Sequence, residues 1–418
     1  MIARTFVFAV TALAAASASA PSVPAQQLVE LPAEDHPLDP AFEEVFRVGA
    51  IDGEPWEIFS TLVGIEFDAR GNLYLFDGVT RAGAPARLVM LEQLRVLVFS
   101  ATGAFRHEFG RMGEGPGEFS WPIGYTVMRD GTTVVNDVRH GGYQLFDPSG
   151  TFVRMVREPD EVGMTSEIQA DPRGGAVLGE TSAMNMGRGT GWNSRPVLRL
   201  SIGGEVVQAD TAAEGWLPDR SAPEGEAADV ARSFGLGAFT LPAVFEPEML
   251  FAVLPDGTVV HSDSSAYHLH LTHPGARRVE RVITRPISPR PVTQAVKEAY
   301  VKRRDADMEA RLRRAEEVGR RLTIMGVSEP HFYPVLAVIE ALAATWDGRI
   351  WAQRRGDARD GGEPIDVLTP AGDYIGTFPA GATAMPDAFG PDGLAAFVEL
   401  DEFGVASVVV RRIPAAVR

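Results

Sequence analysis

Short runs in which apolar and polar residues alternate recur along the whole chain, separated by tight turns ending in glycine. The first clear copy is an apolar run at residues 65–67, a turn closing at Gly71, and the run NLYLFD over residues 72–77. The same arrangement returns with its turn glycine at Gly131, Gly174, Gly257, Gly348 and Gly393. Alternation with a period of two is the signature of a strand, and Asp-Gly turns join antiparallel neighbours because both central positions tolerate positive φ. Each copy is followed by a second hairpin, turning near Gly103, Gly150, Gly203, Gly275, Gly372 and Gly404. Two turns per unit mean four antiparallel strands per unit. Six such units predict an all-β, six-bladed β-propeller, since stacked repeats bury each other's faces and a radial array leaves only short sheet edges.

The sixth unit lacks one strand, because the chain ends soon after the run at residues 405–411. The run FEEVFRV at residues 42–48 has no unit of its own and is expected to close the ring as the missing outer strand. Two stretches break the repeat, at about 210–247 and 286–330. Within the second, residues 293–322 read as a helix, with Met308, Leu312, Ala315 and Leu322 at helical spacing and Thr293 as the N-cap. Both insertions, and the glycine-rich stretch between the first two units, join the last strand of one unit to the first of the next. In a propeller these connections share one face with the loops between second and third strands, so long loops, helix and strand-end charges should gather there, where binding usually resides.

Composition narrows the class. Glycine (43) and proline (30) suit many turns, and 39 basic against 56 acidic residues leave a net charge of −17. So acidic a chain is a poor partner for nucleic acid, whose phosphates call for Lys and Arg. Cysteine is absent, which removes disulfides, thiolate metal sites and thiol nucleophiles. Arg4, the apolar run at 6–16 and the small residues after it read as a signal peptide over 1–25, cut after Ala25. Residues 26–40, proline-rich and acidic, are expected to be a flexible leader, and 41–418 the propeller. No later run is long and apolar enough to span a membrane. An exported protein, periplasmic or extracellular and monomeric, is expected.

The glycine-rich stretch reads FRHEFGRMGEGPGEFSWP over residues 105–122. As a phosphate loop it fails: it lacks the Lys-Ser/Thr ending and places Glu114 and Glu118 where an anion would sit. Its core, FGRMGEGPGEFSWP, resembles the interblade segment of exported bacterial six-bladed propellers of the NHL-repeat and TolB-like kind. The following run, IGYTVMRDGTTVVNDVRHGGYQLFDPSGTFVRMV, resembles an NHL-type repeat. The resemblance is clear over residues 60–160 and fair near 250–282 and 340–378. It implies the fold and export, but little chemistry, because those propellers are functionally diverse.

The candidate ligand-binding face comprises Asp77, Arg111, Trp121, Asp137, Arg139, His140, Glu180, Asp263 and Arg354, with Arg355 on the same rim. The arginines and His140 are suited to a carboxylate or sugar. Asp77, Asp137 and Asp263 each end a second strand; such acids either accept N–H groups of the turn that follows or, together with Glu180, hold a cation through oxygen ligands. His268 and His270 alternate on one strand face that reads as solvated surface, and His273 falls in a turn at the opposite end. No Ser-His-Asp order or Gly-x-Ser-x-Gly elbow is present. Two functions follow. One is a binding or scaffold module without a cofactor, offering one face to a small molecule or protein partner. The other is a lyase or lactonase with Ca²⁺ or Zn²⁺ at the channel mouth, held by Asp77, Asp137, Glu180 and Asp263. Convergence of three or more of those carboxylates would favour the second; carboxylates each bonded into their own loop would favour the first.

Overall fold

The computed structural model describes residues 26–80, 91–159, 162, 165–181, 194–218, 242–276, 278–317, 330–356 and 362–418. The strands form six antiparallel four-stranded blades around an axis. Blade 1 runs Leu62–Phe67, Leu73–Thr80, Leu91–Phe99 and Phe105–Phe109; blade 2 runs Pro122–Val127, Thr133–Asp137, Gly142–Phe146 and Phe152–Arg157. Blade 3 begins at Thr165–Ala170 and ends at Gln208–Gly215, blade 4 begins at Leu250–Val253 and ends at Arg281–Thr284, and blade 5 begins at Ile339–Ala344 and ends at Tyr374–Phe378. Blade 6 takes Ala388–Phe389, Leu394–Leu400 and Ala406–Arg412 from the C-terminal end, and its outer strand, Glu43–Val48, from the N-terminal end. That closure matches the expectation: Phe46 lies opposite Val410 and Val48 opposite Val408.

The apolar pattern is explained by the blade interfaces. On the second strand of blade 1, Leu73 and Leu75 pack towards blade 6 with Phe46, Val408 and Val410, while Tyr74 and Phe76 pack towards blade 2 with Phe119 and Phe146. A strand covered on both faces must be apolar at consecutive positions, hence LYLF. Corresponding clusters fill the other interfaces, so the core is a ring of contacts between blades rather than a single centre. The turn glycines expected at 71, 131, 174, 257, 348 and 393 all have φ between +74° and +94°. Gly150 is required twice over: its φ is +80°, and a Cβ there would lie 2.5 Å from the Phe109 ring.

Three expectations need correction or adjustment. Residues 26–40 are not a loose leader. Gln27–Glu30 pairs in parallel with Arg281–Thr284, giving blade 4 a fifth strand, Leu31 is 2% exposed, and Pro37 bridges to Thr377 of blade 5. The reason is a buried cation. The Arg285 side chain is fully buried; it donates to Asp366 Oδ2 at 2.8 Å, to Asp35 Oδ1 at 2.6 Å and to the carbonyls of Pro32 and Glu34. Asp35 also accepts from Arg354 at 2.8 Å. The N-terminal segment therefore supplies acceptors that Arg285 needs. Second, residues 210–215 complete the outer strand of blade 3, so the first insertion begins later. Third, the helix, α1, is Gln294–Glu317, with Thr293 Oγ1 accepting from Val296 N at 3.4 Å. The signal-peptide region 1–25, the helix end near Leu322 and residues 219–241 of the first insertion lie outside the described residues.

Deleting residues 42–48 should remove an outer strand and half of the blade 6–blade 1 interface, abolishing a cooperative melt; a deletion variant that melts like the parent refutes closure. Asp366→Asn leaves Arg285 without its buried counter-charge and should cost about 3–5 kcal/mol in urea unfolding. Asp35→Asn removes a half-exposed carboxylate from the fully buried Arg285 but keeps an acceptor oxygen, and should cost less than Asp366→Asn, about 1–3 kcal/mol.

Candidate functional site

The strand-end aspartates are committed to the scaffold. Asp77 Oδ1 accepts from Ser60 N at 2.7 Å and Thr61 N at 2.9 Å, and Oδ2 from Arg95 Nε at 2.9 Å. Asp137 accepts from Ser120 N at 2.7 Å, Trp121 N at 3.1 Å, Arg139 N at 3.1 Å and His140 N at 3.2 Å. Asp263 Oδ2 accepts from Trp216 N, where the chain leaves blade 3. All three are buried. Asp77 holds the chain entering blade 1 and Asp263 the chain leaving blade 3; among the described bonds, Asp137 alone of the three also accepts from the turn that follows it, so the expected turn bonding is seen for Asp137 and not for the other two. Glu180 is half-buried opposite Val197 in blade 3. Among the described residues no group of three or more His, Asp or Glu side chains is placed to hold a metal.

The remaining candidates separate. Arg111 is 79% exposed and pairs with Glu118 at 2.7 Å. Glu118 in turn accepts from Gly115 N at 2.9 Å; that N–H, then Arg111, holds its carboxyl below the usual range. Gln144 of blade 2 accepts from Gly117 N and donates to the Glu118 carbonyl, so the glycine-rich stretch is a clasp between blades 1 and 2. Trp121 is half-buried with its indole N–H unpaired, and Arg139 is exposed. His140 Nδ1 lies 3.1 Å from Asp137. Arg354 turns to Asp35 and Asp366. The histidines are not a solvated surface. His270 stacks on buried His261, centroids 5.0 Å apart and planes at 16°, with His268 edge-on to His270. Burial, then the neighbouring His270 charge, pushes His261 down to about 4, so it stays neutral near pH 7. His273 pairs with Asp256 at 3.3 Å.

Along the inner strands, Thr126 Oγ1 of blade 2 donates to Glu66 Oε1 of blade 1 at 3.0 Å and accepts from Ala170 N of blade 3 at 3.2 Å. Burial pushes Glu66 up to about 7.

A cleft of about 1030 Å³ opens between α1 and the rim of blades 5 and 6. It lies on the face of the long connections. Tyr300 and Arg303 of α1 line one wall, Phe245 another, and Arg290, Arg355 and Glu363 the floor. Tyr300, Phe245 and Phe332 form an aromatic group, with Tyr300 edge-on to both partners at 5.5 and 5.7 Å. Phe245 carries φ +68°, an outlier for a bulky residue, held where Val244 pairs with Phe332. Below the floor, Glu340 pairs with Arg355 and faces Glu363, which accepts from Gln353. Burial, then the Glu363 carboxyl, pushes Glu340 up to about 7. Of these groups only Arg355 was marked by sequence. Glu340, Glu363, Arg290, Phe245 and Tyr300 come from four separate segments, and no local spacing connects them.

No protein-family model matches the chain, and no curated protein matches it in sequence. Solved structures do. A Bacteroides fragilis protein classed as exported aligns over 93% of this chain and 100% of its own, at 10% identity and a TM-score of 0.51. A member of the duf4221 family from Bacteroides vulgatus aligns over 90% and 99%, at 9% identity and 0.46. The calcium-binding protein regucalcin from Agrobacterium tumefaciens aligns over 93% and 97%, at 12% identity and 0.38. Likeness to the first of these, at its low identity, shows the propeller fold alone.

Asp137→Ala should cost about 3 kcal/mol or more in urea unfolding, at about 1–3 kcal/mol for each buried donor left without an acceptor. A loss below ~1 kcal/mol would show that the clamp is dispensable.

Proposed function

We propose that this is an exported binding propeller, of the NHL-repeat and TolB-like kind that its interblade segment resembles, which presents its loop-rich face to a small-molecule ligand or a protein partner. One observation carries the reading. Asp77, Asp137 and Asp263 each accept backbone N–H groups of connecting segments, while a cleft of about 1030 Å³, near the upper size of small-molecule sites, opens on the same face. The rim arginine Arg355 lines that cleft. A lyase or lactonase with Ca²⁺ or Zn²⁺ at the channel mouth would need Asp77, Asp137, Glu180 and Asp263 to converge, and among the described residues no group of three or more such side chains is placed to hold a metal. Export is supported by the signal-like start, and no described helix is long and apolar enough to cross a membrane. The net charge of −17 argues against nucleic acid, and the working form is taken as a monomer.

Two measurements on the mature protein test this. Metal analysis with melting before and after chelation should show no stoichiometric metal and an unchanged midpoint; bound Ca²⁺ or Zn²⁺ whose removal lowers the midpoint favours the metal enzyme instead. A thermal-shift screen of small organic solutes should give stabilisers of the parent that fail with Ala299→Trp, which fills the cleft. Stabilisers indifferent to that substitution would place binding elsewhere.

A further inference from the structure

The cleft has a floor whose charges fit one kind of guest. Arg355 lines the cavity and pairs beneath it with Glu340, its Nε also donating to the Ala337 carbonyl at 3.2 Å. Arg290, whose Nη2 donates to the Gly356 carbonyl at 2.6 Å, stands at the same floor, and Glu363 completes it. The charged groups facing Glu340 are thus Glu363 from the run into the third strand of blade 5, Arg355 from the end of its second strand, and Arg290 from the segment before α1. Glu340 Oε2 is buried and has no donor. It faces a second carboxylate, and a proton held between the two acids would satisfy it. With both acids ionised the floor is neutral; with one proton on the pair it is positive by one charge. From α1, Arg303 reaches the same cavity exposed, with no ion pair among the described residues. Above this polar floor the walls are apolar or aromatic: Phe245, Tyr300, Val296, Leu336 and Met385.

Resting on the binding reading above, we propose that the cleft is a receptor for an organic carboxylate with an apolar body, whose anionic end engages Arg355 while the Glu340–Glu363 pair takes up a proton. The walls bury the hydrocarbon or ring, and the arginines recognise the planar anion. An incoming negative charge strengthens the hold of the acid pair on its proton, so ligand and proton bind together. The sign follows from linkage: uptake of a proton makes binding tighten as pH falls, by up to about tenfold per pH unit. Burial and the facing Glu363 push Glu340 up to about 7 before any ligand adds its charge, which places the dependence above neutrality.

The test uses decanoate and 3-phenylpropionate, each against its neutral amide, in titration calorimetry with the mature protein. The acids should bind about tenfold tighter near pH 6.5 than near pH 8.5, with net proton uptake seen as a dependence of the heat on buffer ionisation. The amides should bind at least about tenfold more weakly than the acids. Glu340→Gln should keep the parent melt and bind the acids with little pH dependence, and Arg355→Gln should lose the preference for acid over amide. A phenylalanine-terminated peptide, with free or amidated C-terminus, distinguishes a chain terminus from a free acid as the source of the carboxylate. Equal binding of acids and amides, pH-independent binding by the parent, or no binding by any acid of the series overturns the proposal. Neutral solutes that bind the parent but not Ala299→Trp would leave the cleft as a binding site while removing this ligand class; no solute binding at all would remove both.

Discussion

A propeller stands or falls on closure, because its core is made of interfaces between blades and a missing contact leaves two apolar faces in water. Here closure is made by pairing the N-terminal strand Glu43–Val48 with Ala406–Arg412. Phe46 and Val48 of that strand reach the same cluster as Phe67, Leu75 and Phe99 of blade 1. The chain before it extends the same device. It runs from blade 4 across blade 5 to blade 6, and its Asp35 meets Arg285, whose other carboxylate is buried Asp366. A fully buried guanidinium demands acceptors on every side, so the segment that looked most dispensable in composition is tied to a buried charge at the end of blade 4.

The same polar demand decides where chemistry can reside. Asp77, Asp137 and Asp263 occupy the positions at which a channel-mouth site would be built, but chain entering or leaving the blades directs N–H groups at them. The carboxylates satisfy those donors and hold adjacent strands in register. Charged groups that line a cavity appear instead where the chain departs from the repeat. The long connection between blades 4 and 5 carries α1 over the rim, and beneath it two acids and two arginines meet aromatic walls. The scaffold is rigid where it repeats and distinctive where it does not.

How much of this was legible depended on range. The turn glycines, the alternation and the orphan strand at 42–48 are local signals, and they led to the right blade count and closure. Thr293 as N-cap was equally local. The site was only partly visible. Arg354 and Arg355 are adjacent in sequence and were read together as rim arginines, yet Arg354, the last residue of its strand, pairs with the N-terminal segment, and Arg355, just past the strand, lines the cleft. His270 alternated correctly with its neighbours, but nothing local showed that buried His261 would lie against it.

From sequence alone come the repeat, the number of units, the closing strand, the helical insertion and the acidic character that disfavours nucleic acid. Each depends on residues near one another in the chain, where φ preferences, alternation and capping act. Only the tertiary structure decided that residues 26–40 are part of the fold, that the strand-end acids serve the scaffold, and that Glu340, Glu363, Arg290 and Arg355 share one floor under α1. Those outcomes depend on which buried charges and donors meet across blades, and closing the ring brings together groups that no sequence interval records.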